Sequence, residues 1–188
     1  MVMRMKLTHR QIFGYFGLSA LILLLDQISK WAVTETMIKP ALAVENTYGF
    51  FEWYGQAQGQ LPPAAIDVLP FFNIVMVWNR GVSFGMLTQD TALGSWLLVG
   101  LSVVITVWFT GWLFFAKSRL QRLGIAMVIG GAIGNAIDRI RFNGVIDFLD
   151  FHAFGWHYPA FNVADSCIVV GVFMLIIYAV FLEKSFHS

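Results

Sequence analysis

The chain has 188 residues, 58% of them hydrophobic and only 12% charged, with a formal net charge of +1. A typical soluble domain carries about 25% charged residues, so this chain lacks the charge for a water-facing skin and reads as an integral membrane protein. Near-neutrality without a basic run excludes a nucleic-acid partner, and the single cysteine, Cys167, excludes an internal disulfide or a thiolate metal cluster.

A spanning helix needs about 20 mostly apolar residues, and four stretches qualify, at about 11–33, 93–115, 123–140 and 163–182. Asp26 and Lys30 interrupt the first late in its course. A basic start followed by an apolar run and "ALA" at 41–43 resembles a cleaved leader. The run is too long and too interrupted for that, so an uncleaved span is expected.

Residues 34–92 are predicted to form a small extracytoplasmic cap. "NTYGFFEWYGQAQGQLPP" reads as irregular and interfacial, with room for one amphipathic piece. "FFNIVMVWNRGVSFGML" alternates like short strands around an Asn-Arg-Gly turn. Trp53, Tyr54 and Trp78 suit the headgroup layer. The second span carries no formal charge. The third is short and glycine-rich, where Gly130, Gly131 and Gly134 allow close helix contact. The fold class is therefore all-α integral membrane, four helices and a cap with short β-strands, as one compact domain over 1–188 without internal repeat.

Cations flank the spans on one side: Arg4, Lys6 and Arg10, then Lys117, Arg119 and Arg122, then Lys184. Cytoplasmic loops carry this excess, so both termini are expected inside and residues 34–92 and 141–162 outside. With a rise of about 1.5 Å per residue, Asp26 and Asp138 each lie about 21 Å, and Asp165 about 25 Å, from the inner ends of three different spans. Ionisable groups at such depth are costly and are functional or paired by default. Their common depth predicts a shared site in the outer half of the bilayer.

Each acid also has a structural reading. Asp26 and Lys30, four apart, can neutralise each other on one helix face. Asn135, Asp138 and Arg139 read as a buried tether, with Arg139 and Arg141 near enough to keep Asp138 ionised. Asp150, beside His152 and His157, reads as a solvated loop acid; that trio matches no standard ligand spacing, and no metal is expected. Asp165 can cap the fourth span. Asp147, inside "GVIDFLDF", has no cation within a few residues, and apolar surroundings raise a carboxyl pKa. Two carboxyls brought together share one proton and act as combined base and acid on water. Ser166 and Cys167 read as packing residues.

In order along the chain, "DQISK" (26–30), "NRGVSFG" (79–85), "GGAIGNAIDR" (130–139), "VIDF" (145–148) and "FNVAD" (161–165) resemble the lipoprotein signal peptidase (signal peptidase II) family of bacterial intramembrane aspartic peptidases. The resemblance implies removal of signal peptides from diacylglyceryl prolipoproteins by a cut before the lipidated cysteine, without a cofactor. It implies catalytic Asp147 and Asp165, with supporting or substrate-binding roles for Asp26, Lys30, Asn79, Gly81, Asn135, Asp138, Arg139, Asn162 and Ala164. It further implies a multi-pass protein of the bacterial inner membrane, active toward the periplasm, in contact with membrane lipids, inhibited by globomycin and expected to be a monomer. Ser83, where the family more often has Ala, and a long first outer segment depart from the pattern. A transporter would spread polar groups through the bilayer, whereas here they crowd one side. A mere scaffold would leave the aspartates without a purpose.

Overall fold

A computed structural model describes residues 9–56, 59–81 and 92–182. Four helices in it are long and apolar enough to cross a membrane. The first is α1 (His9–Val33), which continues through a π-helical stretch, Thr34–Ile38, into Lys39–Ala41. A buried Lys39–Glu35 pair at 2.8 Å keeps this extension neutral. A short helix, α2 (Phe50–Gly55), follows, then β1 (Ala64–Leu69) and β2 (Phe72–Asn79). The second long helix is α3 (Ala92–Phe115) and the third α4 (Arg119–Phe142). Strands β3 (Val145–Ala153) and β4 (Trp156–His157) precede α5 (Val163–Ile177), which runs on to Leu182 as a π-helical turn.

The arrangement inverts the soluble rule. With a mean hydropathy of 1.4 against 2.1 and 2.4 for the spans of α3 and α5, α4 is the more buried of the three, and it packs on α1, α3 and α5. The apolar helices face outward because lipid is as apolar as their side chains. Close backbone approach therefore holds α4 in place. A Cβ on Gly131 would stand 2.5 Å from the Ala164 carbonyl oxygen, and one on Gly124 2.7 Å from that of Gly171. The expected small-residue contact is present.

α4 starts four residues before the expected boundary and ends two after it. Ser118 caps it by accepting from the Gln121 N–H at 3.0 Å. Arg122 folds back to donate to the Ala116 carbonyl from Nε (3.2 Å) and Nη2 (2.9 Å), so its charge does not end the helix. Asn143, with φ of 56°, stops it.

The four strands form one antiparallel sheet in the order β1-β2-β3-β4. Two expectations are corrected here. The hairpin reverses between Leu69 and Phe72, not at Asn-Arg-Gly, which instead closes β2; the remainder of that motif, Ser83 included, lies outside the described residues. The segment after α4 is not a loop, for it supplies β3 and β4. Val145–Phe148 and Asp150 are buried, so β3 lacks the alternation that marks a half-exposed strand. The sheet packs on the α1 extension and α2 through Ile38, Trp53, Met76, Phe142 and Ile146.

Candidate active site

The deepest layer is a charge cluster between helices. Lys30 Nζ lies 2.8 Å from Asp26 Oδ2 on its own helix and 2.7 Å from Asp138 Oδ2 on α4, all three side chains fully buried. Its third contact is Asn135 Oδ1 at 3.3 Å, which exhausts the donors of an ammonium. Gln27 Nε2 bridges the two carboxylates at 3.1 and 2.9 Å. Backbone N–H groups complete the shell, from Ala164 to Asp26 Oδ1 (3.0 Å) and from Ile146 to Asp138 Oδ2 (3.3 Å). The Asp26–Lys30 pair expected on one helix is thus half of a larger knot. The cation in contact with Asp138 is Lys30, while Arg139 and Arg141, nearby in sequence, act on its charge at longer range. Arg141 instead donates to the Trp53 carbonyl at 2.6 Å and lies over the Trp53 ring, and Arg139 donates to the Asn135 carbonyl at 3.2 Å.

Above this knot three asparagines address two carboxylates. Val77 pairs with Asp147 and Asn79 with Val145 across β2 and β3, so Asn79 and Asp147 are diagonal neighbours on one face. Asn79 Nδ2 reaches Asp147 Oδ2 at 3.0 Å. Its Oδ1 accepts from the Gly81 N–H at 3.1 Å, where Gly81 adopts φ of 131°. Asn162 caps α5, its Oδ1 accepting from the Asp165 N–H at 2.9 Å and its own N–H donating to Asp165 Oδ2 at 3.3 Å. The Asn162 Nδ2 then points at Asp147 Oδ1, 2.7 Å away. Asn135, with Oδ1 held by Lys30, turns Nδ2 to Asp165 Oδ1 at 2.7 Å. Every amide oxygen faces a donor, and that fixes each NH₂ toward a carboxylate.

Asp147 is buried and Asp165 half-buried. Burial, joined by the charge of Asp165, pushes Asp147 up to about 7, against the opposing hydrogen bonds of Asn79 and Asn162 and the more distant charge of Lys30. Near pH 7 Asp147 is therefore about half-protonated.

All eleven residues singled out in the sequence lie in or against this network: the cluster of Asp26, Lys30 and Asp138, the dyad of Asp147 and Asp165, the asparagines 79, 135 and 162, Gly81, Ala164 and Arg139. Asp150 departs from expectation. It is buried on β3, with His157 Nδ1 2.9 Å from its Oδ2, because the unforeseen strand carries it inward. Gln27 was missed, since a glutamine beside an aspartate gives no signal until the second carboxylate arrives from α4.

Residues 18–181 match the family described as signal peptidase (SPase) II. The chain belongs to the signal peptidase II family. A lipoprotein signal peptidase of Burkholderia vietnamiensis (strain G4 / LMG 22486) is 39% identical over 163 residues, covering 86% of this chain and 84% of that protein. One of Methylobacterium sp. (strain 4-46) is 47% identical over 118 residues, 63% of this chain and 72% of the relative. A bacterial membrane enzyme structure obtained by the in meso method at 1.9 Å resolution superposes with a TM-score of 0.68 at 22% identity, covering 96% of this chain and 99% of that one. It supports the fold, four helices with a small sheet. This member of the signal peptidase II family is accordingly a peptidase and a multi-pass membrane protein.

Proposed function

We propose that the chain is an aspartic endopeptidase that removes the signal peptide from diacylglyceryl-modified prolipoproteins, cutting before the lipidated cysteine with Asp147, Asp165 and one water. The reading is carried by Asn162, which donates to Asp147 while capping the helix whose first turn carries Asp165. One residue thus ties the two carboxyls into a single unit.

The raised Asp147 is the protonated partner and Asp165 the base. Asp165 takes a proton from water as its oxygen adds to the scissile carbonyl carbon, while Asp147 gives its proton to the carbonyl oxygen. On collapse the C–N bond breaks, Asp165 passes its proton to the leaving amine, and Asp147 recovers one from the tetrahedral intermediate. No cofactor or metal takes part. Asn79, Asn135 and Asn162 aim the carboxyls, and Gly81 holds Asn79. Asp26, Lys30, Asp138 and Ala164 lock α1, α4 and α5 beneath the dyad. Arg139 sets a positive charge within electrostatic reach of Asp165, Asp138 and Asp147.

The flanking cations support a reading with both termini in the cytoplasm and the dyad toward the periplasm of a bacterial inner membrane. The enzyme works as a monomer among membrane lipids, with globomycin as its inhibitor. The test is cleavage of lipidated and unlipidated prolipoprotein by purified enzyme. Wild type cuts the lipidated form only, globomycin stops it, and Asp147→Asn and Asp165→Asn each lower the rate by at least 10³-fold. Near-normal processing by either variant refutes the dyad.

A further inference from the structure

A cavity of about 710 Å³ adjoins Asp165. One wall runs down α5 through Asp165, Ser166, Val169 and Val170, which share a helix face. The rings of Phe151, Trp156 and Phe161 close it from the sheet side. Polarity falls along this wall, from a carboxyl and a hydroxyl at the start of α5 to two valines one turn deeper. Val169 and Val170 are 66% and 44% exposed on a helix apolar enough to span a bilayer, so the deep end opens sideways toward hydrocarbon. The buried Asp150, 2.9 Å from His157 Nδ1, ties β4, which carries Trp156, to β3.

We propose that this cavity seats one fatty acyl chain of the substrate and that its depth sets a chain-length preference. The inference rests on the reading of Asp165 as catalytic. The occupant has to be continuous with a bond at Asp165 and with the bilayer, and has to turn from polar to apolar within one helical turn. An ester-linked acyl chain meets all three demands. Size agrees: a methylene takes roughly the 30 Å³ of a water molecule, so about sixteen carbons need roughly 500 Å³. A signal helix about 10 Å across exhausts the same volume within two turns, too little for a spanning segment. The second acyl chain stays in the bilayer.

The test measures kcat/KM in detergent for two synthetic prolipoproteins that differ only in carrying dipalmitoyl or dioctanoyl glycerol on the cysteine. Wild type is expected to favour the long chain at least fivefold. Val170→Trp fills the deep end and lowers the long-to-short ratio by about that factor, whereas Val172→Trp, on α5 but outside the cavity, leaves the ratio unchanged. Val169→Trp reads the same wall should Val170→Trp not fold. An equal wild-type rate on both substrates overturns the proposal. So does an unchanged ratio in the filled variant, the result expected if a bilayer lipid occupies the cavity. Failure of wild type to cut either substrate refutes the peptidase reading instead.

Discussion

Replacing Lys30 with methionine keeps the length of the side chain and removes the cation between two carboxylates. Nζ sits 2.8 Å from Asp26 and 2.7 Å from Asp138, and no part of the three side chains touches solvent. Removing one partner of a buried ion pair costs about 3–5 kcal/mol, because the remaining charge has neither water nor counter-ion. For a chain of this size each kcal/mol moves the unfolding midpoint by about 2–4 °C. Lys30→Met is therefore expected to lower it by about 6–20 °C, followed by tryptophan fluorescence of detergent-purified protein. Asp138→Asn is the milder change, since one ammonium then faces one carboxylate. Adding Asp26→Asn and Asp138→Asn to Lys30→Met leaves a neutral interior and restores most of the loss. The reasoning is refuted if Lys30→Met unfolds within about 2 °C of wild type, or if the neutral triple variant is no more stable than the single one.

With Asp147 pushed up to about 7, proteolysis at pH above about 7 declines as the shared proton leaves, and kcat/KM plotted against pH shows that alkaline limb. For stability the sign is the same, because the folded state binds this proton more tightly than the unfolded chain: between the unfolded value of 3.8 and about 7 the contribution of Asp147 falls as pH rises. Asn79→Ala removes a donor to the ionised form, so the limb moves to higher pH; a downward shift contradicts the hydrogen-bond assignment. Gly131→Ala drives a Cβ to 2.5 Å from the Ala164 carbonyl, at a cost of about 1–3 kcal/mol, and lowers the rate by displacing Asp165. Gly111→Ala, with nothing within 4 Å, gains up to about 1 kcal/mol of helix propensity, and equal melting of the two variants refutes the close-contact account. Asn162→Ser keeps an oxygen for the cap and stays within about 1 kcal/mol of wild type. It loses the donor to Asp147 and with it at least tenfold in kcat, which single-turnover assays read.

Helices and acids were legible in the sequence for one reason. Hydrocarbon tolerates neither free backbone groups nor lone charges, so span length and carboxylate depth are strong signals. The depths of Asp26, Asp138 and Asp165 brought them within one hydrogen-bond network, as expected. The sheet was legible only in part. β2 alternates enough to be noticed, but β3 is buried on both faces over its first half and carries two acids, so "VIDFLD" shows no strand pattern. Its pairing with β2 is a contact between residues about 70 positions apart, to which no local pattern refers. The direct partner of Asp138 was not legible for the same reason: Arg139 and Arg141 do act on its charge, as their proximity in sequence suggests, but tertiary packing supplied the contacting cation, Lys30, from α1. Asp150 looked solvated because its strand was not seen.

Under the proposed mechanism, the choice of amides around Asp147 and Asp165 follows from what a shared proton requires. A lysine against Asp147 or Asp165 would ionise both carboxyls and leave no acid for the carbonyl oxygen. An amide NH₂ aims a carboxyl without a full charge, and three asparagines do that here. The strong cation is still needed, because two carboxylates at this depth require a counter-charge between them to join α1 to α4. Asn135 reconciles the two demands: its oxygen faces Lys30 and its nitrogen faces Asp165. The ammonium stays one residue away from the reacting pair while its position is passed on to it. Asn135→Asp keeps the shape and abolishes this separation. It adds a third carboxylate beside Asp165 and within reach of Lys30, so it should cost more activity than Asn135→Ala, which merely loosens Asp165. Comparing the two rates in membranes at matched expression decides between an insulating and a purely structural asparagine, because a structural role predicts the opposite order.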